Sequence, residues 1–167
     1  MTDTHQLVTR GGVTLQVRRA QAEDAPMLAD FFHHVTPEDL RFRFLTSVRE
    51  VGADRLAMMT APDPDTDSLL ALNEAGELLA TALLVGDAEG RRGEVAVTIR
   101  SDYKARGIGW SLLEHLVSLA RERGYQVVES LEDRQNRSAI SLEREMGFVA
   151  VPVVDDPTLL IIRRELD

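Results

Sequence analysis

A strand, a short turn, two glycines and a long amphipathic helix follow one another in EVAVTIR (94–100), SDY and KARGIGWSLLEHL (104–116), and no other stretch limits the fold as strongly. Glycine forms helix poorly, yet Gly107 and Gly109 stand where a helix over about 107–123 should begin. At such a place glycine permits dihedrals and close approaches denied to other residues, and the first N–H groups of the helix are left without partners. That arrangement suits a phosphate, with the helix dipole and the side chains of Lys104 and Arg106 adding positive potential. Two nucleotide motifs do not match. The pattern G-x-x-x-x-G-K-[ST] lacks its lysine and hydroxyl, and G-x-G-x-x-G meets Leu112 at its third glycine. The alternative is that both glycines serve only to pack the helix closely on a strand.

The rest of the chain frames that segment. VTLQVRRA (13–20) alternates as a strand, and AEDAPMLADFFHHV (22–35) reads as a helix with Met27, Leu28, Phe31 and Phe32 on its apolar side. Thr36-Pro37-Glu38-Asp39 is a helix start, with a hydroxyl cap, an early proline and acids against the dipole, leading through LRFRFL. VGADRLAMMT adds a further short helix and APDPDTD a loop. SLLALN, the turn NEAGE and LLATALLVG form a hairpin, and DAEGRRG turns the chain into EVAVTIR. After the glycine helix come a strand at 125–131, a helix from Asn136 to Met146 stopped by Gly147, and the strands FVAVPVV and TLLIIRREL. The last of these is either an interior strand or a dimer edge. The order βααβββαβαββ describes one α/β domain over 1–167, its sheet mixed and mostly antiparallel, with residues 1–12 a flexible segment or an extra strand.

Composition removes several function classes. The 167 residues are enough for one sizeable core, and a formal charge of -9 with one tryptophan argues against nucleic acid as a partner. Without cysteine there is no disulfide, thiolate metal site or cysteine nucleophile. His5, His33, His34 and His115 are too scattered for a metal, so none is expected. The opening MTDTHQLVTR is polar and no run approaches a membrane span, so a cytoplasmic protein without membrane attachment is expected.

KARGIG resembles the [QR]-x-x-G-x-[GA] signature of the GNAT acetyltransferase superfamily, and N136-R-S-A-I-S-L-E-R-E-M-G-F148 resembles its second block, N-x-x-A-x-x-L-[Y]-x-x-x-G-F. The element order fits from about Val13 to Leu166. The resemblance implies the GNAT fold and acetyl-CoA as co-substrate. It implies a pyrophosphate held by the backbone from Arg106 through Gly107, Ile108 and Gly109 to Trp110, with Ala105 lining the turn. It places the pantetheine arm along Val97, Thr98 and Ile99, where that strand splays from the next. Asn136 matches a position that contacts the arm, and it is equally a helix cap. Lys104 replaces the usual Gln or Arg, keeping charge without the planar fork. Glu143 replaces a tyrosine that protonates the departing thiolate; as an ionised, solvent-facing helix residue it would not take that role.

Transfer to an amine needs the neutral amine, which a free lysine offers about once in 2,500 molecules at pH 7, a deficit of roughly 4.6 kcal/mol. A positioned base is therefore valuable. Glu94 is a carboxylate at the start of the strand that leads to the glycine turn, on the face shared with Ala96 and Thr98 unless a bulge re-aims it. The other reading is a hydrated acid paired with Arg91 or Arg92. TPEDLRFRFLTSVRE and GEVAVTI resemble segments of bacterial Pat-type protein lysine acetyltransferases, whose general-base glutamate falls at Glu94. That likeness implies a protein lysine as acceptor, with Arg41, Arg43 and Phe44 near it; otherwise these three are one helix face, arginines outside and Phe42 or Phe44 inside. The alternatives are a transferase acting on a small amine, a polyamine or an antibiotic-like one, and a non-catalytic acyl-CoA-binding protein of the same fold. A monomer or a homodimer fits equally.

Overall fold

Eight strands form one sheet in the order β1-β2-β3-β4-β5-β6-β8-β7 in a computed structural model that describes residues 4–45, 50–61 and 63–167. The stretch Thr46 to Arg49 after the second helix, the first three residues and Pro62 lie outside the described residues. In chain order the elements are β1 (His5–Val8), β2 (Thr14–Arg19), α1 (Ala25–Phe32), α2 (Pro37–Phe44), α3 (Ala53–Thr60), β3 (Thr66–Leu72), β4 (Leu78–Gly86), β5 (Arg92–Ile99), α4 (Ile108–Glu122), β6 (Val127–Asp133), α5 (Arg137–Glu145), β7 (Val149–Val153) and β8 (Asp156–Glu165). This is the expected α/β class; α3 is the short helix expected in VGADRLAMMT, and β1 shows the opening residues as an extra strand rather than a flexible segment. β8 runs between β6 and β7, so TLLII is an interior strand and not an edge. No helix among the described residues is long and apolar enough to cross a membrane.

Each face of the sheet is sealed by helices of matching periodicity. On α4, Leu112, Leu113, Leu116, Val117 and Ala120 are buried against β4 and β5, with Leu15, Val17 and Ile162 in the same cluster. On the other face Leu28, Phe31 and Phe32 of α1 meet Val35, Leu40, Met59 and Leu70. Each such side chain contributes about 1.5–3 kcal/mol on burial. α2 begins where the sequence marks it: the Thr36 hydroxyl accepts from the Asp39 N–H at 3.1 Å. α4 and α5 end alike, at Gly124 and Gly147 with φ of 80° and 92°, and the next N–H groups reach back from Tyr125 to Ala120 and from Phe148 to Glu143 at 3.0 Å.

One junction in this sheet is only partly paired. All neighbouring strands are antiparallel except β5 and β6, which pair in parallel only from Arg92, Gly93 and Glu94 to Val127, Val128 and Glu129. Beyond Glu94 the two strands separate, while β5 keeps an unbroken register with β4 through Ile99. No bulge interrupts β5, so Glu94, Ala96 and Thr98 stay on one face and Val95, Val97 and Ile99 on the other.

Candidate active site

The opening between β5 and β6 leads into a cavity of about 500 Å³ whose floor is the glycine turn. Gly107, with φ of 81°, is the residue before α4, and Ala105 also lies in the left-handed region at 62°. A side chain at Gly107 would press on the backbone nitrogen of Arg10 at 3.1 Å, and one at Gly109 would touch Ile99 and Leu142 at 3.4 Å. Gly107 is therefore required by conformation, while a Cβ at Gly109 would make only ordinary contact. Among the described residues no backbone acceptor takes the N–H groups of Gly107, Ile108, Gly109 or Trp110.

The turn is braced from the first hairpin, which carried no sign of this in the sequence. The buried Thr9 hydroxyl donates to the Arg106 carbonyl at 2.7 Å and accepts from the Val13 N–H at 3.1 Å. A Cβ on Gly11 would sit 2.4 Å from that same carbonyl oxygen, and the Arg10 guanidinium lies 3.6 Å over the Trp110 ring. Left-handed backbone at Ala105 costs about 1–2 kcal/mol, and these contacts hold it in place.

Val97, Thr98, Ile99, Lys104, Ala105, Gly107, Ile108, Gly109, Trp110, Asn136 and Glu94 all line the cavity. Arg106 does not: its carbonyl is held by Thr9 and its guanidinium lies 4.7 Å over Tyr103, so only its backbone belongs to the turn. Glu94 is exposed within the cavity and forms no ion pair among the described residues. The partners it was weighed against are engaged elsewhere, Arg91 with Glu89 at 4.0 Å and Arg92 with Glu129 at 2.9 Å. Four residues further along the same face of β5 the Thr98 hydroxyl is buried without a partner among the described residues. An unpaired strand edge, an orphan hydroxyl and a cradle of free N–H groups fit the amides and diphosphate of a long, linear thioester donor.

A model of the acetyltransferase (GNAT) family matches residues 29–148, most of this arrangement. The chain belongs to that family. The family uses acetyl-CoA as co-substrate and an amine as acceptor, and the protein is an N-acetyltransferase. It is 30% identical over 154 residues to the acetyltransferase PA5475 of Pseudomonas aeruginosa, covering 90% of this chain and 83% of that protein. An L-methionine sulfoximine/L-methionine sulfone acetyltransferase of Pseudomonas paraeruginosa is 38% identical over 85 residues, 48% of this chain and 49% of the relative. The crystal structure of the GNAT domain of S. lividans PAT superposes with a TM-score of 0.89 at 26% identity, covering 98% of this chain and 97% of that domain.

Three side chains of this acetyltransferase stand differently from expectation. Glu143 is not solvent-facing: it is 4% exposed, lines the cavity beneath β6, and accepts a hydrogen bond from the Ser130 hydroxyl. Its other oxygen is buried with no partner among the described residues. Burial, and then the charge of Glu132, push its carboxyl up to about 9, so it holds a proton at neutral pH. The signal lay in the stripe of α5, where Glu143 follows the buried Ile140 by three residues. Asn136 occupies the cap position of α5 without capping it; its amide donates to Glu132 at 3.1 Å. Lys104 does not stand free for phosphate, because its ammonium meets Asp39 of α2 at 2.6 Å.

That contact is one of two that tie α2 across the opening. On the other lip Arg41 reaches Asp133 at 3.0 Å and Gln135 at 3.2 Å. Phe42 is buried, while Arg41, Arg43 and Phe44 are half-buried, so α2 is not a helix with its arginines in solvent. Phe42 and Arg43 line the cavity with Glu94.

Proposed function

We propose that the protein transfers the acetyl group of acetyl-CoA to a primary amine by direct attack, with Glu94 as general base. The observation that carries this reading is a carboxylate in the cavity, free of ion pairs among the described residues, at the point where β5 and β6 part. Acetyl-CoA supplies the thioester carbon to which the amine nitrogen bonds as the carbon–sulfur bond breaks. The turn from Arg106 to Trp110 binds the diphosphate through backbone N–H groups, and the open edge of β5 at Val97, Thr98 and Ile99 orients the arm. The Glu94 carboxylate takes the proton released from the amine nitrogen. The Glu143 carboxyl, which holds its proton at neutral pH, returns one to the sulfur, so that amide and free thiol leave in balance.

Two acceptors have support. The resemblance of TPEDLRFRFLTSVRE and GEVAVTI to Pat-type segments favours a protein lysine, and the methionine sulfoximine/methionine sulfone relative favours a small amine. The transfer itself is tested by thiol release from acetyl-CoA with a panel of amines, on wild type and Glu94→Gln. The variant should lose roughly 10²–10³-fold in kcat with acetyl-CoA affinity by calorimetry unchanged. Turnover equal to wild type would remove Glu94 as base, and acetyl-CoA binding without turnover on any amine would leave a non-catalytic acyl-CoA-binding protein.

A further inference from the structure

At the acceptor end of the cavity one guanidinium fork has no ion-pair partner among the described residues. Arg43 of α2 lines the cavity together with Glu94. The guanidiniums of Arg43 and of Arg55, on α3, lie 4.9 and 4.6 Å from the Phe44 ring. Among the described residues neither arginine forms an ion pair, although the chain has 28 acids against 19 basic residues and nearby Arg41 and Lys104 both find carboxylates. Burial draws Arg43 below its ordinary value; the charge of Glu94 opposes this and that of Arg55 adds to it. A half-buried guanidinium with no hydrogen-bond partner among the described residues is unfavourable, and its fork matches a carboxylate with two parallel hydrogen bonds.

We propose that the acceptor is an amine bearing its own carboxylate, an α-amino acid, whose carboxylate is held by Arg43 with Arg55 adding charge while its amine lies at Glu94. The charges in the cavity, the Glu94 base beside Arg43, are complementary to the zwitterion. A lysine side chain in a protein brings an ammonium to the same place with no anion to meet Arg43. The proposal rests on the transferase reading and narrows its acceptor; it adds no chemical step.

The test is thiol release at saturating acetyl-CoA, comparing L-methionine, L-leucine and L-glutamine with their carboxamides and with a lysine peptide blocked at both ends. Wild type should favour the free acids over their amides by about 50-fold or more in kcat/KM. Arg43→Gln should bring that ratio near one and leave the KM for acetyl-CoA within about twofold, and Arg43→Lys should restore part of it. The acid-to-amide ratio of the wild type stands as evidence even if a variant fails to fold. Amides or the blocked lysine peptide serving as well as the acids overturns this inference and leaves the transferase reading intact. An unchanged ratio in a folded Arg43→Gln overturns the role of Arg43. Release with no amine at all overturns both readings.

Discussion

The two ends of the cavity are built from different material. The donor end is backbone: free N–H groups at the start of α4, an unpaired edge of β5, and two left-handed residues held by Thr9. The acceptor end is side chain: Glu94 on a strand and Arg43 on a short helix, with Arg55 of the next helix outside the lining and against the Phe44 ring. Backbone groups tolerate changes of side chain so long as the conformation survives, whereas side-chain groups can be exchanged one by one. The donor end should therefore respond sharply to shape and little to charge, and the acceptor end the reverse.

The strongest way to break this contrast is Gly107→Val. A branched side chain at φ of 81°, already 3.1 Å from the Arg10 nitrogen at its Cβ, should weaken acetyl-CoA binding more than about 100-fold in calorimetry. Binding within tenfold of wild type would show that the cradle is not formed by this backbone.

Glu143→Gln comes next and sharpens the contrast, because a side chain then matters in the middle of the cavity. It should lower kcat by at least about tenfold, with the KM for acetyl-CoA little changed. The pH dependence gives a second readout. The folded carboxyl titrates at about 9 and the unfolded one near 4.3, so between these values the folded state binds more protons. The stability this supplies is complete below the unfolded value and is lost as pH rises through about 9. Wild-type Tm should fall across that window, and the fall should be shallower in Glu143→Gln. Equal slopes would mean that Glu143 is ionised throughout.

The smallest effect is expected at a conspicuous charge of the signature. Lys104→Gln should change acetyl-CoA affinity by less than about threefold, since the ammonium is held by Asp39 and an exposed pair of this kind contributes about 0–1 kcal/mol. A loss of tenfold or more, steepening at low salt, would return Lys104 to the phosphate.

The difference between the two ends also explains how much of each was readable. Glycines in a place that disfavours them, a proline and hydroxyl opening α2, and apolar residues spaced for α4 are local signals, because dihedral preference and amphipathic spacing act over a few neighbours. The element order and the position of the cradle follow from them. α3 is legible in VGADRLAMMT, whereas β1, four residues long, is too brief for periodicity to separate a strand from a flexible segment. Glu143 shared the stripe of Ile140, but a lone glutamate on a helix gives no sign of whether water or a strand will cover it.

The sequence by itself determined the class of fold, the place of the donor turn and the residue types available for acid–base work. Only the tertiary structure decided which of those residues stand unpaired in the cavity and which are occupied. Thr9 meets Arg106 across 97 residues and Lys104 meets Asp39 across 65. Ser130 and Glu132 surround Glu143 only after α5 packs beneath β6. Charge state and hydrogen bonding depend on burial and on partners brought together by the fold, and no local pattern records either.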